Sequence, residues 1–94
     1  MPDPNRSLLD ALNGDQVVID LRSTYVALGT LVGGDELFVE LKNADLHDLR
    51  DTDTTRENYI AESKATGIKR NRRRVLIVRT DMVAVARLDD VVDD

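Results

Sequence analysis

Residues 25–44 read YVALGTLVGGDELFVELKNA, and residues 74–88 read RVLIVRTDMVAVARL. In both stretches apolar runs flank a short polar turn, Gly33-Gly34-Asp35 in the first and Arg79-Thr80-Asp81 in the second. Apolar runs rich in β-branched residues on either side of such a turn are typical of paired β-strands. The two blocks therefore predict a mainly β protein, interrupted by the polar segment that separates them.

Two further elements, a short helix and a strand, are predicted before the first block. Residues 7–12 place leucines on one side of a short helix, which Ser7 can cap. Residues 16–22 alternate between apolar and polar side chains, which predicts the first strand. Gly29 lies inside the second predicted strand, and we expect it to mark a sharp bend or a close approach of two backbones.

The polar segment between the blocks is predicted to carry a helix. A third strand over residues 37–43, continuing toward residue 49, leads into it. Thr54 is followed three residues later by Glu57, which is the pattern of a capping box at a helix start. We therefore predict an inserted helix over residues 55–66.

The chain is long enough for one domain, and we expect residues 1–94 to form it. Residues 51–71 would be an insertion in that domain, and residues 1–5 and 89–94 would be flexible at its ends. A domain of this size buries a small fraction of its surface, so we expect further burial by association between copies.

The last two predicted strands favour such an association. Residues 75–78 and 83–86 are apolar and contain no proline. Strand edges of this kind are normally paired or covered, because their free backbone N–H and C=O groups invite pairing with another chain. Head-to-tail pairing of unlike edges closes into a ring when the rotation between copies permits.

The composition excludes several kinds of site. The chain has no cysteine, so neither a disulfide nor a thiolate zinc site can form, and its single histidine, His47, is expected at the surface. The sequence lacks a nucleophile with a matching base and a glycine-rich phosphate loop, so we expect neither an enzyme nor a cofactor or metal site. It also lacks an apolar stretch of about 20 residues and an export signal, which predicts a soluble, cytoplasmic protein without a membrane partner.

Charge is unevenly distributed along the chain. The formal net charge of -5 argues against coating a nucleic acid with the whole surface, since phosphate binding depends on Lys and Arg. Five basic residues nevertheless lie close together: Lys69, Arg70, Arg72, Arg73 and Arg74. We expect one basic face on an acidic body.

Residues 25–44 resemble the first Sm motif, and residues 74–88 resemble the second, of the Sm-like (LSm) protein family. Residues 29–33 with Asp35 match the strand and turn of the first motif, and Arg79-Thr80-Asp81 is similar to the Arg-Gly-Asp turn of the second. The resemblance implies a small, strongly bent five-stranded barrel with an N-terminal helix, here with the inserted helix between strands 3 and 4. It also implies a homo-oligomeric ring in which the fourth strand pairs with the fifth strand of the next protomer.

The resemblance assigns a pore site to the two turns. Arg79 would stack under a base and Asp81 would support the pocket, although a strand-end arginine paired with a turn aspartate is an equally local explanation. Phe38, beside Asp35 and Leu37 in the first turn, could stack on RNA or lie in the core.

The arginine run also has two possible interpretations. Arg72, Arg73 and Arg74 could contact RNA phosphates, or they could form a solvated loop that offsets the acidic residues nearby.

Two departures from the family pattern affect base recognition more than assembly. Asp35 is followed by Glu36-Leu37-Phe38, without the asparagine that reads a base edge in the family, and the turn is one residue shorter. Thr80 replaces the glycine of the second motif, which alone adopts positive φ without strain.

We therefore predict a ribonucleoprotein component that binds single-stranded RNA, in RNA chaperoning or turnover. The alternative is a ring-forming scaffold that binds protein partners and no RNA.

Overall fold

The fold is described by a computed structural model that covers residues 7–51 and 53–92. The predictions of flexible ends at residues 1–5 and at residues 93 and 94 lie outside the described residues. The described chain contains the following strands and helix in order: β1 (Gln16–Leu21), β2 (Tyr25–Gly34), β3 (Phe38–Asp48), α1 (Arg56–Thr66), β4 (Arg72–Val78) and β5 (Met82–Arg87). Short 3-10 turns occupy Asp10–Leu12, Leu49–Asp51, Arg79–Asp81 and Leu88–Asp90.

The strands form one antiparallel sheet of five strands in the order β4-β3-β2-β1-β5. The two edge strands, β4 and β5, are consecutive in sequence and are joined only by the three-residue turn Arg79–Asp81. Ile77 of β4 and Val85 of β5 contact the same apolar cluster, so the sheet curls around a common core. The predicted mainly β, five-stranded architecture is confirmed, and within the described residues the sheet stays open between β4 and β5.

The middle of the sheet is buried on both faces. Val17 and Ile19 of β1 lie in the inner cluster, together with side chains from the other strands. Val18, which points the opposite way, belongs to a second cluster with Ile60 of α1 and Leu88. The inserted helix therefore covers part of the outer face of β1 and β2, which explains why Val18, Val26 and Leu28 are buried on that face.

The predicted inserted helix is confirmed, with a different cap. Thr55 is the N-cap residue, and its side chain accepts a hydrogen bond of 3.1 Å from the Asn58 backbone N–H. In place of the capping box predicted at Thr54 and Glu57, the helix begins one residue later with a single side-chain cap at Thr55. Arg56 in the first turn forms an ion pair of 2.6 Å with Asp20 of β1, which fixes the helix on the sheet. None of the described helices is long and apolar enough to cross a membrane.

The predicted N-terminal helix is reduced to one 3-10 turn, Asp10–Leu12. Ser7 does act as a cap, since its hydroxyl accepts a 3.1 Å hydrogen bond from the Asp10 backbone N–H. The turn cannot continue, because the Gly14 backbone N–H donates to the Leu31 carbonyl at 2.8 Å and draws the chain onto β2. Gly14 adopts a φ of +89°, which glycine tolerates best.

Gly29 occupies the close backbone approach predicted for it. The β2–β3 register shifts beside it, and the opposing strand carries Asn43 at a φ of +49°. A Cβ added at Gly29 would lie 3.0 Å from the Ala44 Cβ and 3.2 Å from the Lys42 carbonyl oxygen. The glycine therefore permits the two long central strands to stay paired through the bulge.

We expect Gly29→Ala to lower the free energy of unfolding by about 1–3 kcal/mol, because the added methyl group meets backbone atoms that cannot move aside. Gly33→Ala in the same strand is the matched control, since a Cβ there meets no atom within 4 Å. Its effect should stay within about 0.5 kcal/mol. Urea denaturation of both variants measures the difference, and equal stabilities would contradict the assigned close approach.

Candidate functional site

The turns that join β2 to β3 and β4 to β5 meet at one end of the sheet. The Arg79 backbone N–H donates a 2.9 Å hydrogen bond to the Leu37 carbonyl. The Arg79 side chain lies against Gly34, because a Cβ at Gly34 would come within 3.0 Å of the Arg79 Nη2 atom. Gly34 thus leaves space for the Arg79 guanidinium. The sequence pattern identifies Gly34 only as part of a turn and does not predict this role.

Asp35 builds the first of these turns. Its Oδ1 atom accepts hydrogen bonds from the Leu37 and Phe38 backbone N–H groups, both at 2.8 Å. Its own N–H donates to the Phe38 carbonyl at 2.9 Å. These backbone hydrogen bonds, from Phe38 first and then Leu37, lower the pKa of the Asp35 carboxyl, and the nearby positive charge of Arg79 lowers it further. Asp35 is therefore a turn-forming residue next to the guanidinium.

Phe38 lies on the outer face of the sheet. It is partly buried and belongs to neither apolar cluster, so the prediction that it could lie in the core is wrong. Its side chain follows the outward positions of β3, opposite to the buried neighbour Val39. Phe38, Gly34, Asp35, Glu40 and Arg74 line a shallow cleft of about 320 Å³, together with Gly33 and Leu76.

Asp81 faces another part of the molecule. Its backbone carbonyl accepts a 2.8 Å hydrogen bond from the Arg22 N–H, and its carboxylate lies 3.5 Å from the Ser23 hydroxyl, which donates to it. Among the described residues Asp81 forms no ion pair with Arg79, so the alternative of a local Arg–Asp pair is not borne out. The structure brings Arg79, Asp35, Leu37 and Phe38 together, and it places Asp81 beside the β1–β2 turn.

Thr80 fits its turn without strain. The only non-glycine residue with positive φ in the described chain is Asn43, and residues 79–81 form a 3-10 turn instead. The glycine of the related motif is therefore not required here.

The arginine run lies in a strand, and the predicted solvated loop is wrong. Arg72 pairs with Ala44 of β3, and Arg74 pairs with Lys42, so strand pairing holds this run in place. The Arg74 Nε atom donates to the Glu40 carboxylate at 2.6 Å, which neutralises its charge and lowers the pKa of Glu40. Arg73 is exposed and has no hydrogen bond or ion pair with any side chain in the described part of the chain.

His47 was predicted at the surface, and the structure shows it partly buried. Its ring stacks on Tyr59 of α1 with the ring centroids 4.0 Å apart, and its Nε2 atom is buried without a hydrogen-bond partner among described atoms. The nearby Asp45 is 6% exposed. Sequence reasoning missed this cluster because its residues come from β3 and from the insertion. Only the alternation of side chains after the bulge at Asn43 could have indicated that Asp45 is buried.

One of three comparisons with known proteins, the one with solved structures, agrees with this architecture. No protein-family model matches the sequence, and no curated protein matches it significantly. Among solved structures, the chain is similar to the Sm protein of Pyrococcus abyssii, which was determined in complex with a uridine heptamer. The TM-score is 0.59 at 16% sequence identity, over 85% of this chain and 92% of the other. The chain has an Sm fold.

The Sm fold places the described turns in a known framework. At this level of identity the likeness establishes the arrangement of strands and not the role of single residues.

We expect Asp35→Ala to destabilise the protein near neutral pH, because two backbone donors lose their charged acceptor. The pKa of Asp35 is lower in the folded state, so its stabilisation is present above the unfolded pKa of about 4 and is lost as the pH falls through the folded pKa. The stability difference from the unaltered protein should therefore shrink in acid.

Thermal unfolding at several pH values measures this difference. Glu36→Ala removes the same charge from the next residue and is the matched control, with a smaller effect at neutral pH. A difference for Asp35→Ala that is constant with pH would contradict the assigned role of the carboxylate.

Proposed function

We propose that this chain is an Sm-like protein that assembles into a homo-oligomeric ring and binds single-stranded RNA, as a binding protein and not as an enzyme. The Sm fold and the uridine heptamer bound by the similar Pyrococcus abyssii protein support the proposal. The observation that carries it is local: the Leu37–Arg79 backbone hydrogen bond brings a guanidinium and the partly buried ring of Phe38 to the same end of the sheet.

These two groups suit an unpaired base. Single-stranded nucleic acids bind through aromatic side chains and arginine planes on which bases stack, and each stacked base contributes about 1–3 kcal/mol. The absence of a side chain at Gly34 leaves room for the Arg79 guanidinium, because a Cβ there would lie 3.0 Å from the Arg79 Nη2 atom. The exposed Leu37 beside it extends the apolar surface that a base would cover.

Ring assembly would satisfy the edges of the sheet. Within the described residues, β4 and β5 each have one strand neighbour, and α1 packs on β1 and β2 instead of covering either edge. Leu76 and Val78 of β4 and Val83 of β5 remain exposed, at 46%, 47% and 66%. Pairing β4 of one copy with β5 of the next would cover these side chains and complete both ladders.

A scaffold ring that binds proteins and no RNA is the second candidate. The first turn carries the carboxylates of Asp35, which lies near Arg79, and of Glu36, and Glu40 of β3 already neutralises Arg74. These negative charges disfavour the binding of a polyanion such as RNA. They do not affect the formation of a ring through β4 and β5.

A binding titration separates the two candidates. We expect short U-rich or A-rich single strands to bind at micromolar protein, with an affinity that falls between a low and a high salt concentration. Arg79→Ala should weaken binding about fivefold or more, as expected for the loss of one stacking partner. Fluorescence anisotropy measures both effects.

The control variant is Arg50→Ala, which also removes one arginine charge. Arg50 lies outside both turns and forms an ion pair with Asp48. The variant should leave the affinity within about twofold, since exposed pairs contribute little. Absence of salt-sensitive binding to either strand would reject the RNA proposal in favour of the scaffold.

The two neighbouring arginines of β4 should differ in their effect on salt dependence. Arg73→Ala should reduce the slope of log affinity against log salt by about 0.7, the value for one phosphate contact on a single strand. Arg74→Ala should change the slope less, because Glu40 already neutralises Arg74 at 2.6 Å. Anisotropy titrations over a salt series test this order, and the reverse order would show that the Arg74–Glu40 pair opens to bind RNA.

A further inference from the structure

The inserted helix encloses a polar pocket that lies apart from both turns. The pocket has a volume of about 200 Å³, well above the roughly 10–15 Å³ that one water molecule needs. It lies between β3 and the C-terminal half of α1, and its lining includes Asp45, His47, Tyr59, Glu62, Ser63 and Lys69.

Several polar groups of this pocket are buried and incompletely satisfied. Asp45 is 6% exposed, and its carboxylate accepts one hydrogen bond of 3.1 Å, from the Asn71 side-chain amide. The His47 Nε2 and Tyr59 Oη atoms are buried with no partner among described atoms. Buried polar atoms are nearly always hydrogen-bonded, so each of these atoms is open to a partner from outside the described chain, either a water molecule or a ligand that displaces it.

The charge of the pocket indicates the kind of group. Asp45 and Glu62 contribute carboxylates, and the last turn of α1, up to Thr66, directs the negative end of the helix dipole toward the same region. Burial raises the pKa of the Asp45 carboxyl, and the charge interaction with the neighbouring His47 opposes this shift only in part. The stacked rings of His47 and Tyr59 add an aromatic wall, which also favours a cation.

An organic cation fits better than a metal ion. The described residues offer no group of three or more His, Cys, Asp and Glu side chains placed to hold a metal. An ammonium or guanidinium group can donate several hydrogen bonds at once to a carboxylate and to neutral oxygen or nitrogen acceptors.

We propose that the pocket between α1 and β3 binds a primary ammonium or guanidinium group, held by Asp45 and Glu62 against Tyr59 and His47. Lys69, at the rim, is the competitor for the same carboxylates within the chain. The ligand is either a free polyamine or an arginine or lysine side chain of another protein, which present the same chemistry.

The test is a titration of the full chain, followed by the backbone amide resonances of His47, Ser63 and Gly67 in NMR spectra. The probes are N-acetyl-arginine amide and spermidine, with N-acetyl-citrulline amide as the uncharged analogue and sodium chloride at matched ionic strength. We expect saturable shifts with the two cations and none with the citrulline probe. Tighter binding of spermidine would indicate a polyamine, and tighter binding of the arginine probe would indicate a protein side chain.

Variants assign the contacts. Asp45→Asn should weaken cation binding about tenfold or more, the loss expected for one charged hydrogen bond. Glu57→Gln removes a carboxylate from the first turn of the same helix and should leave the affinity within about twofold. Lys69→Gln should strengthen binding, because it removes the competing ammonium, whereas it would weaken the binding of an anion.

Equal shifts with the arginine and citrulline probes, no saturable shift with any probe, or an unchanged affinity in Asp45→Asn would each overturn the proposal. If Asp45→Asn does not give a dispersed spectrum, Glu62→Gln and Lys69→Gln decide it by the opposite signs of their effects. RNA binding measured in Asp45→Asn and Glu62→Gln should not change, which separates this pocket from the site at Arg79.

Discussion

The structure depends on one constraint, the three-residue connection between the two opposite edges of the sheet. A flat sheet of five strands would separate β4 from β5 by four strand spacings of about 4.8 Å each. Residues 79–81 can join them only if the sheet curls, and the shared inner cluster fills the curl. The two edges do not pair with each other in the described chain, so both stay open. The short connection between them also brings Arg79 to the β2–β3 turn.

The insertion contributes additional burial of apolar surface. By packing Ile60 and its neighbours on the outer face of β1 and β2, α1 adds a second apolar cluster to a short chain that would otherwise bury little surface. It leaves the β4 and β5 edges uncovered. Assembly through those edges and a pocket beneath the helix are therefore compatible in one molecule, and neither would obstruct the turns that carry Arg79 and Phe38.

Sequence patterns predicted the strands, the inserted helix and the special role of Gly29, because each depends on local alternation, capping or backbone freedom. They did not predict the short N-terminal turn, since the Gly14–Leu31 hydrogen bond that limits it joins residues from different elements. Residue types alone grouped Arg79 with Asp81, whereas the 3-10 geometry between them separates the two side chains. The partial burial of His47 depends on the docking of α1 from elsewhere in the chain, which no local sequence pattern indicates.

The open edges are the central claim, because the proposed ring forms only if another copy pairs with them. Sedimentation equilibrium of the full chain at micromolar concentration tests it most directly. We expect one species whose mass is a fixed multiple of the 10.5 kDa chain and does not change with concentration. A mass of 10.5 kDa throughout that range would contradict the account.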